Sequence, residues 1–218
     1  MKILDVPQSG SLAGQTSSRN RYGQYRRTRA SPVNPNSANQ VAARGRLTNL
    51  AQLFRGLTEV QQAGWFNLGE SMSRTDSLGQ VYNLTALQAY VSVNSLHLAA
   101  GNARVDAAPA LVAVAPLLTA TITATVAAHS VAYTVTPLAA GARLFVFVSP
   151  QRSAGRSFES DYRLIAVSAA AAASPADIET AYEARFGVLV VGQRLFYKLQ
   201  VYQGGFLSPA LDTSAVVA

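Results

Sequence analysis

The clearest strand pattern in the chain is Gln193-Arg-Leu-Phe-Tyr-Lys-Leu-Gln-Val-Tyr-Gln203. Apolar side chains occupy every second position from Leu195 to Val201. A period of two is that of a β-strand with one buried face, so the stretch predicts a core strand. The pair Gly204-Gly205 then predicts a turn into a last strand over Phe206–Val216.

Similar patterns lie upstream, within the C-terminal half of the chain. The predicted strands are Ala110–Ala115, Leu118–Ala127, Val131–Thr136, Arg143–Ser149 and Asp161–Val167, with a turn at His129-Ser130 between the second and the third. About seven short strands in about 110 residues are typical of an immunoglobulin-like or fibronectin-type β-sandwich. The segment Ser174–Gly187 predicts an inserted helix, because serine caps it, Pro175 takes its first position and glycine ends it.

Capping boxes predict three helices before the strands. Each box has a serine or threonine followed three residues later by glutamine, which pair with each other's backbone amides. The predicted helices run from Ser37 to about Gly56, from Thr58 through Trp65 to Leu68, and from about Ala86 to Leu98 with Gly101 as C-terminal cap. Trp65 is expected to be a core anchor.

The predicted fold class is therefore α+β and mainly β. It comprises an extended basic arm at 1–35, a helical region at 36–104 and an immunoglobulin-like sandwich with an inserted helix at 105–218. Glycines and the prolines at 32 and 35 break any helical period in the arm, where a short strand is expected only at Gln24–Thr28.

Positive charge is concentrated at the N-terminal end. The chain has 218 residues and a formal net charge of +7. Residues 1–55 hold nine Lys/Arg and a single acid, Asp5, whereas residues 56–218 hold nine Lys/Arg and ten acids. The densest part is Arg19–Arg29, which contains five arginines and no lysine.

Two kinds of partner fit this arm. Arginine pairs with phosphate and tyrosine stacks on bases, which is typical of a nucleic-acid contact. Arginine and tyrosine are also enriched, and lysine depleted, at protein interfaces, which favours contact with neighbouring subunits. A solvated tail is the third alternative. The residues predicted to make the contact are Arg19, Arg21, Tyr22, Tyr25, Arg26, Arg27 and Arg29.

Histidine and cysteine usage argues against metal sites and nucleophilic catalysis. The chain has no cysteine and two histidines, His97 and His129, neither with a second ligand at metal-binding spacing. Neither histidine has an acid placed to form a Ser-His-Asp triad. Each is expected to be a surface or packing residue.

Other candidate chemistry also has a structural interpretation. Glu159 and Asp161 are expected to be a solvated edge or partners of Arg156 and Arg163, rather than a catalytic carboxylate pair. The segment Gly10–Gly14 lacks the Lys-Ser/Thr of a phosphate-binding loop. We therefore expect no enzymatic activity, no cofactor and no metal.

No segment predicts a membrane span or a signal peptide. The most apolar stretch, Ala107–Ala128, has threonine at alternate positions and two prolines, which indicates strands. The N-terminus lacks the apolar run of a signal peptide. The expectation is a soluble protein made in a reducing cytoplasm.

The first half of the chain resembles a group of uncharacterised proteins encoded in bacterial and phage genomes. The residues that carry the resemblance are Ser18–Asn36, Gln40, Arg44, Leu57-Thr-x-x-Gln61, Trp65, Ala89–Ser95 and Gly101. The resemblance implies a phage-derived gene and no known activity. The second half is similar to fibronectin type III sandwiches in its pattern.

Low charge content completes the functional prediction. Charged residues make up 13% of the chain, against about 25% in typical globular domains, so neighbouring subunits are expected to cover part of the surface. The sequence predicts a homo-oligomeric structural subunit of a phage or virus particle (capsid, decoration or tail), located in the virion and contacting other virion proteins, or cytoplasmic if not viral. The alternatives are a nucleic-acid-binding protein that uses the arm and a carbohydrate- or surface-adhesion module.

Overall fold

The computed structural model describes residues 8–20, 23–31, 33–75, 79–134 and 138–218. Within these residues the chain forms four helices and fourteen strands. Two compact units divide the chain: an N-terminal unit, residues 1–44, and a C-terminal unit, residues 45–218.

The strands of the N-terminal unit form one small antiparallel sheet. Its order is β1 (Gly10–Leu12), β2 (Gln15–Asn20) and β3 (Gly23–Thr28). The strand predicted at Gln24–Thr28 is confirmed as β3. The pairing of β2 with β3 and of β1 with β2 was not predicted, because neither β1 nor β2 has an apolar alternation in its sequence. No described residue of this unit is buried.

All three predicted helix starts are confirmed. The helices are α1 (Ala38–Arg55), α2 (Glu59–Ser71) and α3 (Ala86–Ala99), followed later in the chain by α4 (Glu179–Phe186). Both reciprocal hydrogen bonds of the capping box form at the start of each of the first three helices. Gly101 ends α3 with a φ of 73°, and its N–H donates to the carbonyl of Leu98 at 3.1 Å.

The remaining strands lie in the C-terminal unit. They are β4 (Ser73–Thr75), β5 (Val81–Asn83), β6 (Ala120–Ala124), β7 (His129–Tyr133), β8 (Arg143–Val148), β9 (Arg152–Ser153), β10 (Arg163–Val167), β11 (Ala176–Asp177), β12 (Gln193–Gln203), β13 (Phe206–Leu207) and β14 (Leu211–Val216). One sheet has the order β11-β7-β6. In the other sheet, β8 and β9 pair with one edge of β12, and β10 pairs with the far edge of β8. The strands β13 and β14 pair with the opposite edge of β12. A separate hairpin is formed by β4 and β5.

The two larger sheets share one hydrophobic core. Val131 of β7, Val146 of β8 and Leu195 and Tyr197 of β12 are buried in the same cluster. The Ala218 N–H, beyond β14, donates to the carbonyl at the end of β6 at 3.0 Å. Two antiparallel sheets packed around one core form a sandwich. The predicted mainly-β α+β fold is confirmed.

Two local predictions upstream of β8 are wrong. Ala110–Ala115 is not a strand, because its backbone pairs with no strand among the described residues. The turn between β6 and β7 is not at His129-Ser130 but at Thr125–Ala128, where the Thr125 hydroxyl accepts the Ala128 N–H at 2.9 Å. His129 is therefore the first residue of β7.

Two further corrections concern the inserted helix and the last strand. The helix begins at Glu179 rather than after Ser174, because the Ser174 hydroxyl instead accepts the Tyr133 N–H at 2.9 Å. The last strand is split into β13 and β14 around Pro209, which lacks an N–H for the ladder. Gly187 ends α4 as predicted, with a φ of 84°.

Candidate interaction surface

The sheet of the N-terminal unit divides the predicted arm residues between two faces. Directly opposite residues of an antiparallel pair share a face, and successive residues alternate. Arg19 lies opposite Gln24, and Arg26 lies opposite Ser17, two positions further along the same pair of strands. Both arginines therefore lie on one face. Tyr25 and Arg27 lie on the other face.

Two other predicted contact residues, Arg21 and Tyr22, lie outside the described residues. Arg29 follows the end of β3, and its N–H donates to the Gly14 carbonyl at 2.8 Å. The structure therefore does not gather all the described arm residues on one surface. Alternation along β3 is the physical reason, because Arg26 and Arg27 are neighbours in sequence and point to opposite sides.

The two faces differ in how their side chains are used. On the first face, the Arg26 guanidinium donates to the Gln8 side-chain oxygen at 2.7 Å, and the Gln24 amide donates to the Gln8 carbonyl at 3.3 Å. Arg19, Arg27 and Arg29 are exposed, and none has an ion pair with any described residue. These three guanidinium groups are open to an external partner.

The sequence around these arginines carries positive charge and no negative charge. Residues 6–58 contain eight arginines and no aspartate or glutamate. Neutralisation of the stretch from within its own sequence is therefore impossible. A segment of this kind attracts carboxylates or phosphates from outside the segment.

The helix α1 continues this acid-free stretch and is poorly covered. Its first twelve residues, Ala38–Asn49, are all exposed, and Leu50 is its first buried residue. Val41 and Leu47 are each more than half exposed. Since most helical stability in proteins comes from tertiary packing of an apolar face, the exposed turns of α1 gain little stability from packing among the described residues.

Arg44 has a local role within the N-terminal unit. Its guanidinium donates to the side-chain oxygens of Asn34 at 2.7 Å and Asn36 at 3.0 Å. It thereby ties the segment before α1 to the helix. No sequence signal distinguished this arginine from those of the arm.

One histidine, His129, lies in a buried aromatic cluster in the core of the sandwich. The His129 side chain is 1% exposed, and its Nε2 lies 2.7 Å from the Tyr197 hydroxyl. Its ring packs edge-on against Tyr182 with the centroids 4.9 Å apart. Burial lowers the pKa of His129 to about 4, although nearby Asp177 opposes this shift. His129 is thus a neutral packing residue at neutral pH.

The other histidine and the tryptophan also have structural roles. Burial lowers the pKa of His97, whose Nδ1 lies 2.9 Å from the Tyr202 hydroxyl. Trp65 is fully buried, and its Nε1–H donates to the Asp106 carbonyl at 2.7 Å. The prediction of a core anchor at Trp65 is confirmed.

Glu159 is a buried carboxylate with both arginine and backbone N–H partners. It is buried against Arg152 and Arg156, and one of its oxygens accepts the N–H groups of Ser160 and Asp161. The backbone N–H of Asp161, followed by that of Ser160 and by Arg152, lowers the pKa of Glu159 to about 2 despite its burial. The predicted partnership with Arg156 is confirmed, and Arg152 is a partner that sequence reasoning missed.

Asp161 pairs with Arg163, with Nε and Oδ1 2.9 Å apart, as predicted. No group of three His, Asp or Glu side chains among the residues with described positions is arranged to hold a metal ion.

Exposed apolar side chains form a second surface on the sandwich. Val188, Val190 and Val191 are each more than half exposed in the loop between α4 and β12. Gln151 shapes this loop, because its side chain bonds the Val188 carbonyl and the Val190 N–H, both at 2.8 Å. Three exposed valines in a pinned loop are typical of a contact surface.

Comparison with known protein families, with curated proteins and with solved structures found no match to the chain. Across the described ranges, the helices are too short or too polar to cross a bilayer.

Proposed function

We propose that this chain is a structural subunit of a repeating assembly, a component of a phage or virus particle, and that its N-terminal unit contacts neighbouring subunits. One observation carries the proposal: the N-terminal unit forms a three-stranded sheet and the start of a helix, yet none of its described residues is buried. Small sheets need an apolar face packed against something to be stable in water. The missing cover is supplied by another molecule.

The surface of the sandwich supports the same proposal. The chain is poor in charge, and its loop at Val188–Val191 presents an apolar tip. Surfaces of this composition are disfavoured on free monomers and favoured where copies meet. Exposed arginines of the arm add a side chain that is enriched at interfaces.

Removal of the arm tests the proposal. Deletion of residues 1–35 is expected to leave a folded sandwich, since the core lies in the C-terminal unit, and to abolish any species larger than a dimer. Light scattering after nuclease treatment measures the size of both proteins. A deletion variant that assembles as the full-length chain does contradicts the proposal.

A pair of double variants separates the arm's arginines from charge in general. R27Q/R29Q removes two exposed arm charges, and R163Q/R185Q removes two from the sandwich. We expect the first variant to shift assembly to higher protein concentration and the second to leave it unchanged. Equal behaviour of the two variants would assign the effect to net charge rather than to the arm.

Nucleic-acid binding is the second candidate function, and the acid-free stretch of residues 6–58 favours it. Binding to phosphates releases counterions, so the logarithm of the affinity falls with the logarithm of salt concentration by about 0.9 per phosphate neutralised on duplex DNA. R27Q/R29Q is expected to reduce this slope by about 2 if both arginines contact phosphate. Fluorescence anisotropy with a random-sequence duplex at several salt concentrations measures the slope. An unchanged slope argues against this function.

A further inference from the structure

An unpaired segment crosses the surface of the C-terminal unit. Residues 108–117 run without a bend, a turn or a strand pairing. Within them, Ala110-Leu-Val-Ala-Val-Ala115 lies between Pro109 and Pro116. No backbone N–H or carbonyl of these six residues bonds to any residue that the structure describes. The segment has the composition of a strand and contains no turn or bend, but it lacks a neighbour among the described residues.

The segment also borders a groove with a mainly apolar lining. Leu111 is 53% exposed and Val112 39% exposed, whereas Val114 is buried and anchors the segment to the core. The groove has a volume of about 650 Å³ and is also lined by the apolar Leu96, Phe206 and Leu207 and by the polar Arg74, Ser92 and Gln200. This volume lies within the range of about 300–1,000 Å³ that is usual for binding pockets.

Nothing in the sequence guards this edge. Proteins usually protect an exposed strand edge with a charged side chain or an inward-pointing polar residue. Residues 107–142 contain no Asp, Glu, Lys or Arg at all. The prolines stand at the two ends of the segment and leave its six central residues free to pair. An edge that is apolar, exposed and unguarded is suited to use by a partner.

We propose that Ala110–Ala115 pairs antiparallel with the same segment of a second copy of this chain, across a two-fold axis. Backbone groups without partners call for an extended peptide, and a segment without charges calls for an uncharged one. The second copy offers such a peptide already extended, so pairing requires little ordering. The Arg19–Arg29 arm does not fit this edge, because its charges would have to be desolvated there.

The inference is independent of the role of the arm. A two-fold pair of identical segments is closed, with the same patch used on both subunits. It yields a dimer, whereas the proposed contacts of the N-terminal unit build larger species. Deletion of residues 1–35 is therefore expected to leave this dimer intact, so that failure of one proposal is distinguishable from failure of the other.

Proline substitution tests the backbone pairing in the full-length chain. Successive N–H groups of a strand point to opposite edges, so V112P and A113P each remove a donor from one edge. Sedimentation is expected to show dimerisation weakened at least about tenfold in one of the two, because the two-fold axis removes the donor twice. V112A is the matched control, since it shortens the same side chain but keeps the N–H, and its dimer is expected to be stronger than that of the weakened proline variant. Equal association of V112P, A113P and V112A overturns the proposal.

Spin labelling provides a readout that does not depend on how proline is tolerated. The chain has no cysteine, so V112C accepts a single nitroxide label at an exposed position. Val126, 48% exposed in the turn between β6 and β7, is the matched control for labelling. We expect strong dipolar broadening between copies for labelled V112C and none for labelled V126C. A monomeric wild-type chain, or equal spectra for the two labels, refutes the pairing.

Discussion

Protonation of His129 is expected to destabilise the sandwich below neutral pH. The ring lies in the core between Tyr182 and Tyr197, and its Nε2 has the Tyr197 hydroxyl as its partner. Its Nδ1 is buried and has no hydrogen bond with any described atom. An imidazolium would need acceptors for two N–H groups. Only one described acceptor, the Tyr197 hydroxyl, is in reach of the ring, which agrees with the lowered pKa of His129.

The sign and size of the effect follow from the pKa values of the folded and unfolded chains. The pKa of His129 is about 4 when folded, against 6.5 for an unperturbed histidine. Between these values the unfolded chain binds more protons, so stability is fully present above pH 6.5 and falls as the pH is lowered towards 4. Each pKa unit corresponds to about 1.4 kcal/mol, so the total is about 3 kcal/mol, with about 2 kcal/mol lost between pH 7 and pH 5. This is a large part of a typical stability of about 5–15 kcal/mol.

Urea unfolding at pH 7 and pH 5 measures the loss. H129F keeps an aromatic ring in the cluster but cannot be protonated, so its stability is expected to change much less over this interval. Its stability at pH 7 is expected to be lower by about 1–3 kcal/mol, because the Tyr197 hydroxyl loses its partner. H97Q is the control that separates the contribution of His97 to the pH dependence. His97 is the chain's other histidine, and burial lowers its pKa too. An H129F variant with the pH dependence of the wild type would refute the reasoning.

Three further predictions concern stability. E159Q is expected to destabilise the chain at pH 6, and the difference in stability from wild type should shrink as the pH falls from about 4.5 towards 2. The reason is that a lowered carboxyl pKa stabilises the fold only where the carboxyl of the unfolded chain is ionised. Thermal melts across this pH range measure the difference, and a constant difference would argue against the reasoning. G69A is expected to destabilise the chain by about 1–3 kcal/mol, since an added Cβ would overlap the Leu84 carbonyl oxygen. G45A, in open space on α1, is expected to stabilise the chain by up to about 1 kcal/mol. Chemical denaturation of both variants tests this opposite response. W65F should cost about 2–4 kcal/mol, from the lost bond to the Asp106 carbonyl and a small cavity, and a cost below 1 kcal/mol would contradict the anchoring role.

Features that depend on neighbours in sequence were predictable. The starts of α1, α2 and α3 follow from hydrogen bonds between residues three apart, which form wherever the chain folds into a helix. The strands β8 and β12 follow from apolar alternation on a buried face. The turn at Gly204-Gly205 follows from two glycines that adopt positive φ. In each case the physical cause lies within a few residues of the effect.

Features that depend on distant partners were decided by the tertiary structure. Ala110–Ala115 has the composition of a strand, but a strand requires a hydrogen-bonding neighbour, which the described chain does not supply. Ser174 has the pattern of a helix cap, yet its hydroxyl bonds β7 instead. Alternation along β3 sets Arg26 and Arg27 on opposite faces of the small sheet, but only the pairing of β2 with β3 placed Arg19 on the same face as Arg26. Local propensity thus specified where elements begin, while pairing and burial, which involve residues far apart in the chain, determined which of their groups remain open to other molecules.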